Sequence, residues 1–528
     1  MSSLDTSCRT ARGPLPAAPA LTRARPLVIG LVLAVALLPM LLYPLGISGD
    51  YPNHLARVWI EHRLAASDAL RENFVVDWGI YPDLAMDLFM RPLMALTDPY
   101  TAGALFNVLA VAMLPLGVAL LSRVTTGCVG LPVAASALLL YGKPLAWGFI
   151  NFVFTAGLAL CLFALWVRMR PGWPRTALFV LLMPVLFFSH VLGFLLFGYL
   201  MLAYEIGRFA AGERGRLTAF LRGLVLRDGM TAILPLALFV ASLRDRLSGL
   251  ETEISGFGGL ASRGQALVAP FDFDNGIAAV LVLAGCYLTL LVAFRRGWLT
   301  LTPALRPVFW ASVALVLVVP AAFSGISFLH IRFGAIPAAI LLAGATLTPA
   351  GRARALPLSA VLIGLLAVQQ VVVHERMSFL DRAQSEVRAA VSVLPEGARV
   401  LVGADEVTPF VYRMNHAPAF AVIEADGYVA NLFTNTSPVG VTERAQPLHR
   451  PQAWPLSAEE LAEGTRRAPS TSEAPNGIHD DYFHGWPRTF DALVWFTTPG
   501  GTLPDETHLR EIERHETFRL YAVARGTE

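Results

Sequence analysis

The chain has 528 residues, of which 55% are hydrophobic and only 15% are charged, and its mean hydropathy is +0.56. This composition excludes a water-soluble enzyme and is typical of a polytopic membrane protein. The net charge of +2 is unevenly placed, because residues 374–528 hold 22 acidic and 14 basic residues, a net of −8, which leaves +10 for the remainder. The sequence therefore predicts a membrane body with basic loops, followed by an acidic, water-soluble C-terminal segment.

The first 26 residues contain four arginines among alanine and proline and predict a disordered cytoplasmic leader. The apolar run that follows, residues 27–47, is long enough to cross a bilayer. No small-x-small cleavage site follows it closely, so we expect a retained membrane anchor and not a cleaved signal. The four cysteines match no metal-binding or disulfide spacing.

A polar stretch follows the first span at once and carries the first candidate site. Pro52 fits the first turn of a helix, on which His54, Arg57 and Glu61 share one face. Asp50 precedes this helix near its positive end, where an anion is favoured. The stretch predicts a catalytic pair, Asp50 and His54, with Arg57 in contact with substrate. The alternative is a capped amphipathic helix that lies on the membrane surface.

Residues 79–97 carry Asp83, Asp87 and Arg91 at intervals of four. Charges inside lipid are costly, so this segment is interpreted as a re-entrant or membrane-surface helix and not as a full span. Asp83 and Asp87 are candidate substrate-binding residues. Alternatively, the three side chains form a structural ladder of ion pairs.

Hydropathy predicts about eleven transmembrane helices. They lie at residues 27–47, 100–122, 128–142, 148–167, 176–188, 191–206, 229–243, 276–294, 307–323, 332–348 and 355–373. Every second loop is rich in arginine, which places the N-terminus in the cytoplasm and the C-terminal segment outside, in the periplasm of a bacterial cell. The expected domains are the leader 1–26, a transmembrane domain 27–373 with its first outer loop at 48–99, and an extracytoplasmic soluble domain 374–528.

The C-terminal segment alternates between helical and strand patterns. A helix is expected at 377–394, strands at 398–402, 420–423 and 491–496, and long loops over 436–489. This alternation predicts a small α/β domain. The predicted fold class is therefore a mainly α, polytopic helical membrane protein with a small α/β extracytoplasmic domain.

Further reactive residues collect on the predicted outer side of the membrane. Lys143, the only lysine of the chain, lies in an outer turn, and its ammonium could bind phosphate. His190 lies at the outer end of a helix, and His330 and Arg332 lie near another outer loop. An ionisable group at membrane depth is a functional candidate by default, so all four are candidate substrate-binding residues.

Each of these outer residues also has a structural alternative. His190 could be an interhelical hydrogen bonder, and His330 and Arg332 could anchor the chain at the lipid headgroups. Asp272 and Asp274, in a nearby outer loop, could cap the helix that begins near residue 275.

This arrangement resembles the C-type glycosyltransferase superfamily, which includes the protein mannosyltransferases and lipid A aminoarabinose transferase. In that family a cytoplasmic N-terminus leads to one span and then to a large outer loop with a catalytic aspartate and membrane-surface helices. Asp50 matches the position of the aspartate, residues 60–97 match the surface helices, and 374–528 matches the terminal domain. Many members carry a second acidic residue beside the aspartate, whereas this chain has Tyr51, Pro52, Asn53 and His54, so no metal site and no cofactor are predicted.

The resemblance implies a function. It predicts transfer of a sugar from a polyprenyl-phosphate donor to a cell-envelope glycan, lipid or protein acceptor at the outer face of the inner (plasma) membrane. Such a reaction needs a base for the acceptor's proton and positive charge on the departing phosphate. The chain has no Walker loop and no dinucleotide-binding glycine pattern, and no nucleic acid is expected among its partners.

Two other functions stay open from the sequence. A transporter or flippase of lipid-linked saccharide would place polar residues and broken helices near the midplane of the bilayer. A non-catalytic envelope assembly protein would use the acidic C-terminal segment for binding.

Overall fold

The computed structural model describes residues 21–212, 216–246, 256–323, 326–434, 437–469, 479–498, 501, 504 and 506–524. Residues 1–20 of the predicted leader lie outside this range, and the first helix begins at Leu21. The helices as far as residue 391 are α1 (Leu21–Ala36), α2 (Leu38–Leu42), α3 (Tyr51–Arg63), α4 (Asp68–Asn73), α5 (Ala85–Leu93), α6 (Pro99–Thr126), α7 (Leu131–Ala134), α8 (Lys143–Ala146), α9 (Ile150–Arg168), α10 (Trp173–Ser189), α11 (Val191–Ala210), α12 (Leu217–Gly223), α13 (Met230–Arg246), α14 (Leu260–Val268), α15 (Gly276–Arg295), α16 (Arg306–Val318), α17 (Leu329–Arg332), α18 (Ala335–Gly344), α19 (Pro349–Arg352) and α20 (Ala355–Val391).

Five helices in the described part of the chain, α6, α9, α11, α15 and α20, are long and apolar enough to cross a membrane. A sixth candidate is the segment Leu217–Asp228 with Met230–Ser242, which bends by 49°. The other predicted crossings coincide with apolar helices of 10–17 residues. The first of these is shortened because the helix ends at Ala36 and a new one begins at Leu38, with Pro39 in its first turn. The mainly helical fold class is confirmed, whereas the count of eleven crossings stays a prediction.

Helices α6 and α9 form the centre of the helical body, and two glycines let them approach closely. A Cβ atom at Gly157 of α9 would lie 2.5 Å from the backbone of Met113 in α6. A Cβ atom at Gly117 of α6 would lie 2.6 Å from Leu160. Small residues at such a crossing are the usual means of packing helices in lipid, where van der Waals contact replaces the hydrophobic driving force.

The C-terminal segment is an α/β unit around a five-stranded mixed sheet. The strands of the whole chain are β1 (Phe74–Val76), β2 (Leu299–Leu301), β3 (Ala322–Phe323), β4 (Ile326–Ser327), β5 (Ala345–Leu347), β6 (Arg399–Ala404), β7 (Tyr428–Val429), β8 (Val439–Val441), β9 (Ala492–Phe496), β10 (Leu509–Arg514) and β11 (Phe518–Val523). The sheet order is β10-β11-β9-β6-β7; β6 runs parallel to β7 and β9, and the other pairs are antiparallel. The helices here are α21 (Pro409–Met414), α22 (Phe420–Glu424), α23 (Ala458–Arg466) and α24 (Trp486–Thr489).

The strands predicted at 398–402 and 491–496 are confirmed as β6 and β9, but the strand predicted at 420–423 is wrong. These residues form helix α22, and the strand of this region is β7, which follows it. All four side chains are buried and apolar. Such a run has no polar positions whose spacing could distinguish a helix from a strand. Residues 436–489 are also less irregular than predicted, because they contain β8 and α23, which has a capping box formed by Ser457 and Glu460.

The C-terminal segment and the first outer loop are joined by direct contacts. Helix α20 has 37 residues and continues from the helical body through the predicted boundary at 374. Strand β1 of the outer loop pairs with β8 of the C-terminal segment. The Trp59 indole N–H donates to Asp426 Oδ1 at 3.0 Å, and Asp381 Oδ1 accepts from the backbone N–H of Leu45 at 2.8 Å. These contacts place C-terminal residues directly beside the start of α3.

Candidate active site

Asp50 lies at the start of α3, where the chain leaves the first apolar helices. Its backbone carbonyl accepts from the N–H groups of Asn53 and His54, so the backbone opens the helix, but its side chain forms no capping hydrogen bond. The interpretation of this carboxylate as a side-chain cap is therefore wrong. Gly148 closes over it: φ is +88° there, and a Cβ atom would lie 2.4 Å from the Cβ of Asp50. Only glycine fits this approach.

The charge that faces Asp50 comes from Arg332 at the end of α17. Its guanidinium carbon lies 3.5 Å from the centroid of the Phe149 ring, and its Nε donates to the Ser327 carbonyl at 3.2 Å. No carboxylate of the described residues lies within 4 Å of the guanidinium. Burial raises the pKa of Asp50 to about 7, although the positive charge of Arg332 acts in the opposite direction. This carboxyl group can therefore both take and release a proton near neutral pH.

His54, Asp83 and His190 are brought together on one side of this pair, as the sequence predicted for the outer face. Burial would raise the pKa of Asp83, but the neighbouring His190 and Arg57 lower it below its ordinary value. Burial lowers the pKa of His54 to about 3, so its imidazole is neutral at pH 7. Asp83 Oδ1 and His54 Nδ1 are buried and have no hydrogen-bond partner among the described residues. Buried polar atoms of this kind usually require an explanation, and a polar ligand supplies one.

Asn151, which the sequence analysis did not select, holds the Asp83 segment in place. Its Oδ1 accepts from the backbone N–H of Met86 at 2.9 Å, and its Nδ2 donates to the Asp83 carbonyl at 3.3 Å. His190 caps its own helix, because its Nδ1 accepts from the Leu192 N–H at 3.1 Å. The interpretation of His190 as an interhelical hydrogen bonder is therefore replaced by a cap within α11.

Arg57 and Asp87 form a buried ion pair between α3 and α5. Arg57 Nη2 lies 2.5 Å from Asp87 Oδ2, and both side chains are almost fully buried. The predicted ladder of Asp83, Asp87 and Arg91 is wrong, because α5 begins at Ala85 and leaves Asp83 outside it. The guanidinium of Arg91 instead lies over the Trp78 ring, 4.9 Å from its centroid.

The Arg57–Asp87 pair supports the site by holding α5 against α3. Each charge is neutralised by its partner, and removal of one member of a buried pair typically costs about 3–5 kcal/mol. Burial, with the neighbouring Asp87, raises the pKa of Glu61 to about 9, so Glu61 adds no negative charge here at neutral pH.

Lys143 lies in the turn that leads to Gly148, but its charge is already paired. Its Nζ lies 2.9 Å from Asp272 Oδ2 and 5.1 Å from the centroid of the Trp147 ring. Asp274 pairs with Arg413 of α21 at 3.1 Å. Neither aspartate caps α15, because the Asn275 side chain performs that role by accepting from the Ala278 N–H.

His330, another predicted site residue, contacts a serine of α14. Its Nε2 lies 2.6 Å from Ser262 Oγ, and the residue is only 2% exposed, which excludes an anchor at the headgroups. Arg332, two residues further along α17, is the member of this pair that faces Asp50.

The C-terminal segment contributes to the site in a way that the sequence does not predict. His416 Nε2 lies 3.7 Å from Asp50 Oδ1, and the Phe433 ring packs against both His54 and His416. These residues lie more than 350 positions from the first span, and no local pattern connects them to it. Among the described residues, no group of three or more His, Cys, Asp or Glu side chains is arranged to hold a metal ion.

No protein-family model and no curated protein sequence matches this chain. Among solved structures, the crystal structure of ArnT from Cupriavidus metallidurans bound to undecaprenyl phosphate is similar over 94% of this chain and 97% of that chain. The TM-score is 0.53 and the sequence identity is 13%, so the likeness concerns the fold. The chain therefore shares the fold of this ArnT structure, which agrees with the resemblance inferred from the sequence.

Proposed function

We propose that this protein is a membrane glycosyltransferase that moves a sugar from a polyprenyl-phosphate donor to a cell-envelope acceptor at the outer face of the membrane. The observation that carries the proposal is a partly buried carboxylate, Asp50, within electrostatic range of the Arg332 guanidinium, which also acts on Asp83 and has no carboxylate within 4 Å among the described residues. The similarity in fold supports a polyprenyl-phosphate donor, because the similar ArnT structure is bound to undecaprenyl phosphate.

The reaction assigns one role to each of these two groups. Asp50 takes the proton from the acceptor's nucleophilic atom as that atom bonds to the anomeric carbon of the sugar. The bond from the anomeric carbon to the phosphate oxygen breaks, and its electron pair leaves with the polyprenyl phosphate. Arg332 stabilises the charge that develops on this phosphate, because a guanidinium pairs with phosphate oxygens in a fixed geometry.

The remaining candidates surround the sugar in this proposal. Asp83 Oδ1 and His54 Nδ1 accept hydrogen bonds from sugar hydroxyls, which accounts for two buried atoms without partners. Arg57 acts through Asp83, whose negative charge it stabilises, and His190 lies beside the same carboxylate. Lys143 is a weaker phosphate ligand than Arg332, because Asp272 already neutralises it.

The pH dependence of transfer tests the assignment of Asp50. The base must be ionised to accept a proton, so kcat/KM should rise about tenfold per pH unit below pH 7 and level off above it, in line with a pKa of about 7. The assay uses protein in nanodiscs, a lipid extract enriched in polyprenyl-phosphate sugars, and membranes from a strain that lacks the protein as acceptor. Mass spectrometry measures the polyprenyl phosphate released.

A rate that stays constant to about pH 5 would show that a group with an ordinary carboxyl pKa is the base, and not Asp50. If no polyprenyl phosphate is released, and the lipid-linked sugar crosses the bilayer intact when the protein is placed in sealed vesicles, the protein is a flippase.

A further inference from the structure

His416 belongs to the C-terminal segment, yet it lies at the start of α3. It follows α21 and precedes the short turn Ala417–Ala419, and it is 7% exposed. Its Nε2 lies 3.7 Å from Asp50 Oδ1. The Phe433 ring packs edge-on against its imidazole, with the ring centroids 4.8 Å apart. The residue has no role in the reaction as described above.

The orientation of the Asn53 amide is fixed by two backbone groups. Its Oδ1 accepts from the Phe433 N–H at 2.8 Å, and its Nδ2 donates to the Asn431 carbonyl at 3.3 Å. A reversed amide would place donor against donor and acceptor against acceptor, so the assignment of oxygen and nitrogen follows from the contacts. The Nδ2 group of Asn53 therefore also faces His416 Nδ1, at 3.0 Å.

This contact determines where the imidazole carries its proton. Because Asn53 Nδ2 is a donor, His416 Nδ1 must accept, and a neutral imidazole then has its proton on Nε2. Burial lowers the pKa of His416 to about 4, so the ring is neutral at pH 7. The Nε2–H group is therefore directed at the Asp50 carboxylate.

We propose that His416 is a positioning residue, whose Nε2–H orients the Asp50 carboxylate and stabilises its ionised form, so that the C-terminal segment completes the active site. The proposal rests on the proposed function of Asp50 as the base. The present 3.7 Å separation is longer than a hydrogen bond. A movement of less than about 1 Å forms one, and such contacts often tighten only when substrate is bound.

Other charged and titratable groups face the same pair and act in parallel. Arg332 of α17 lowers the pKa of Asp50, and Tyr412 of α21 lies within electrostatic range of it. His54 of α3 faces His416. The charges of Arg332 and Asp83 remain in a His416 variant, so loss of the His416 donor leaves Asp50 more easily protonated.

Two variants separate the two ring nitrogens. His416→Asn retains an acceptor near the position of Nδ1, and with it the contact to Asn53, but removes the donor that faces Asp50. His416→Gln places an amide donor near the position of Nε2. The matched control is His449→Asn, because His449 is another buried histidine of the C-terminal segment, and its ring contacts Tyr428 and Thr434.

We expect His416→Asn to lower kcat by about 10–100-fold, the usual effect of losing a group that orients a reacting residue. The acid limb of its pH profile, where the rate falls as the base becomes protonated, should move to a pH about one unit higher, because a hydrogen bond to the ionised carboxylate has been lost. His416→Gln should restore most of kcat and the position of the limb. His449→Asn should lower thermal stability with the limb unmoved.

An infrared titration of the Asp50 carboxyl band, with Asp50→Asn as the subtraction reference, gives a readout independent of transfer. A higher Asp50 pKa in His416→Asn supports the proposal even if the wild-type protein transfers no sugar, in which case only the proposed function fails. An unchanged Asp50 pKa overturns the positioning role. If His416→Asn does not fold, His416→Ala decides, because it also removes the donor: a higher Asp50 pKa supports the role, and an unchanged Asp50 pKa contradicts it.

Discussion

Replacement of Asp50 with asparagine is expected to lower the transfer rate by about 10²–10⁴-fold, the contribution of a positioned general base. Asparagine has nearly the same shape but cannot take the acceptor's proton. The fold should tolerate it, because the Asp50 side chain forms no capping hydrogen bond in α3. The measurement is the release of polyprenyl phosphate by purified protein, with the melting temperature recorded for each variant.

The matched control is Asp381→Asn. Asp381 of α20 is also a partly buried aspartate, but it accepts from the backbone N–H groups of Leu45 and Gly46, and an asparagine oxygen can do the same. This variant should retain nearly full transfer. If Asp50→Asn retains more than about a tenth of the wild-type rate, Asp50 is not the base. Asp83, whose buried Oδ1 has no partner among the described residues, would be the next candidate.

Replacement of Arg332 with methionine is expected to weaken binding of undecaprenyl phosphate by about 30- to 4,000-fold. This range corresponds to about 2–5 kcal/mol for the loss of one partner from a buried charged contact. Methionine keeps part of the length of the side chain but removes the guanidinium, and with it the charge and the contact with the Phe149 ring. Binding is measured by native mass spectrometry of the purified protein with the lipid phosphate alone.

Direct binding is the right measurement for Arg332, because the variant also affects Asp50. Loss of the guanidinium removes the charge that lowers the pKa of Asp50, so the acid limb of transfer should move upward as well. Lys143→Met is the control: Asp272 already neutralises this ammonium, and lipid binding should change much less. Equal losses in the two variants would indicate a general attraction to anionic lipid and would remove the specific role of Arg332.

Hydropathy and the arginine-rich loops are local signals, and from them the sequence predicts which residues share one side of the membrane. That is sufficient to group Asp50, His54, Asp83, His190 and Arg332, which the structure brings together. These local signals do not predict which of the side chains contact each other. Asp87 and Arg91 are four residues apart, yet Asp87 pairs with Arg57 of another helix, which helical spacing alone cannot reveal.

The contribution of the C-terminal segment could not be predicted for the same reason. Asn53 and His416 are 363 positions apart, and their contact depends on how β1, β8 and α20 hold the segment against the outer loop. The sequence also could not decide whether Lys143 or Arg332 is the better candidate for binding phosphate. Only the contact with Asp272, 129 positions from Lys143, separates them.

A structure of the protein with bound undecaprenyl phosphate would test the central claim most directly. The account predicts that the phosphate lies within about 3 Å of the Arg332 guanidinium, the distance of a charged hydrogen bond, and that the Asp50 carboxylate faces the position of the anomeric carbon. A phosphate bound at Lys143, or elsewhere with Asp50 and Arg332 remote from it, would contradict the proposal that these two residues form the transfer site.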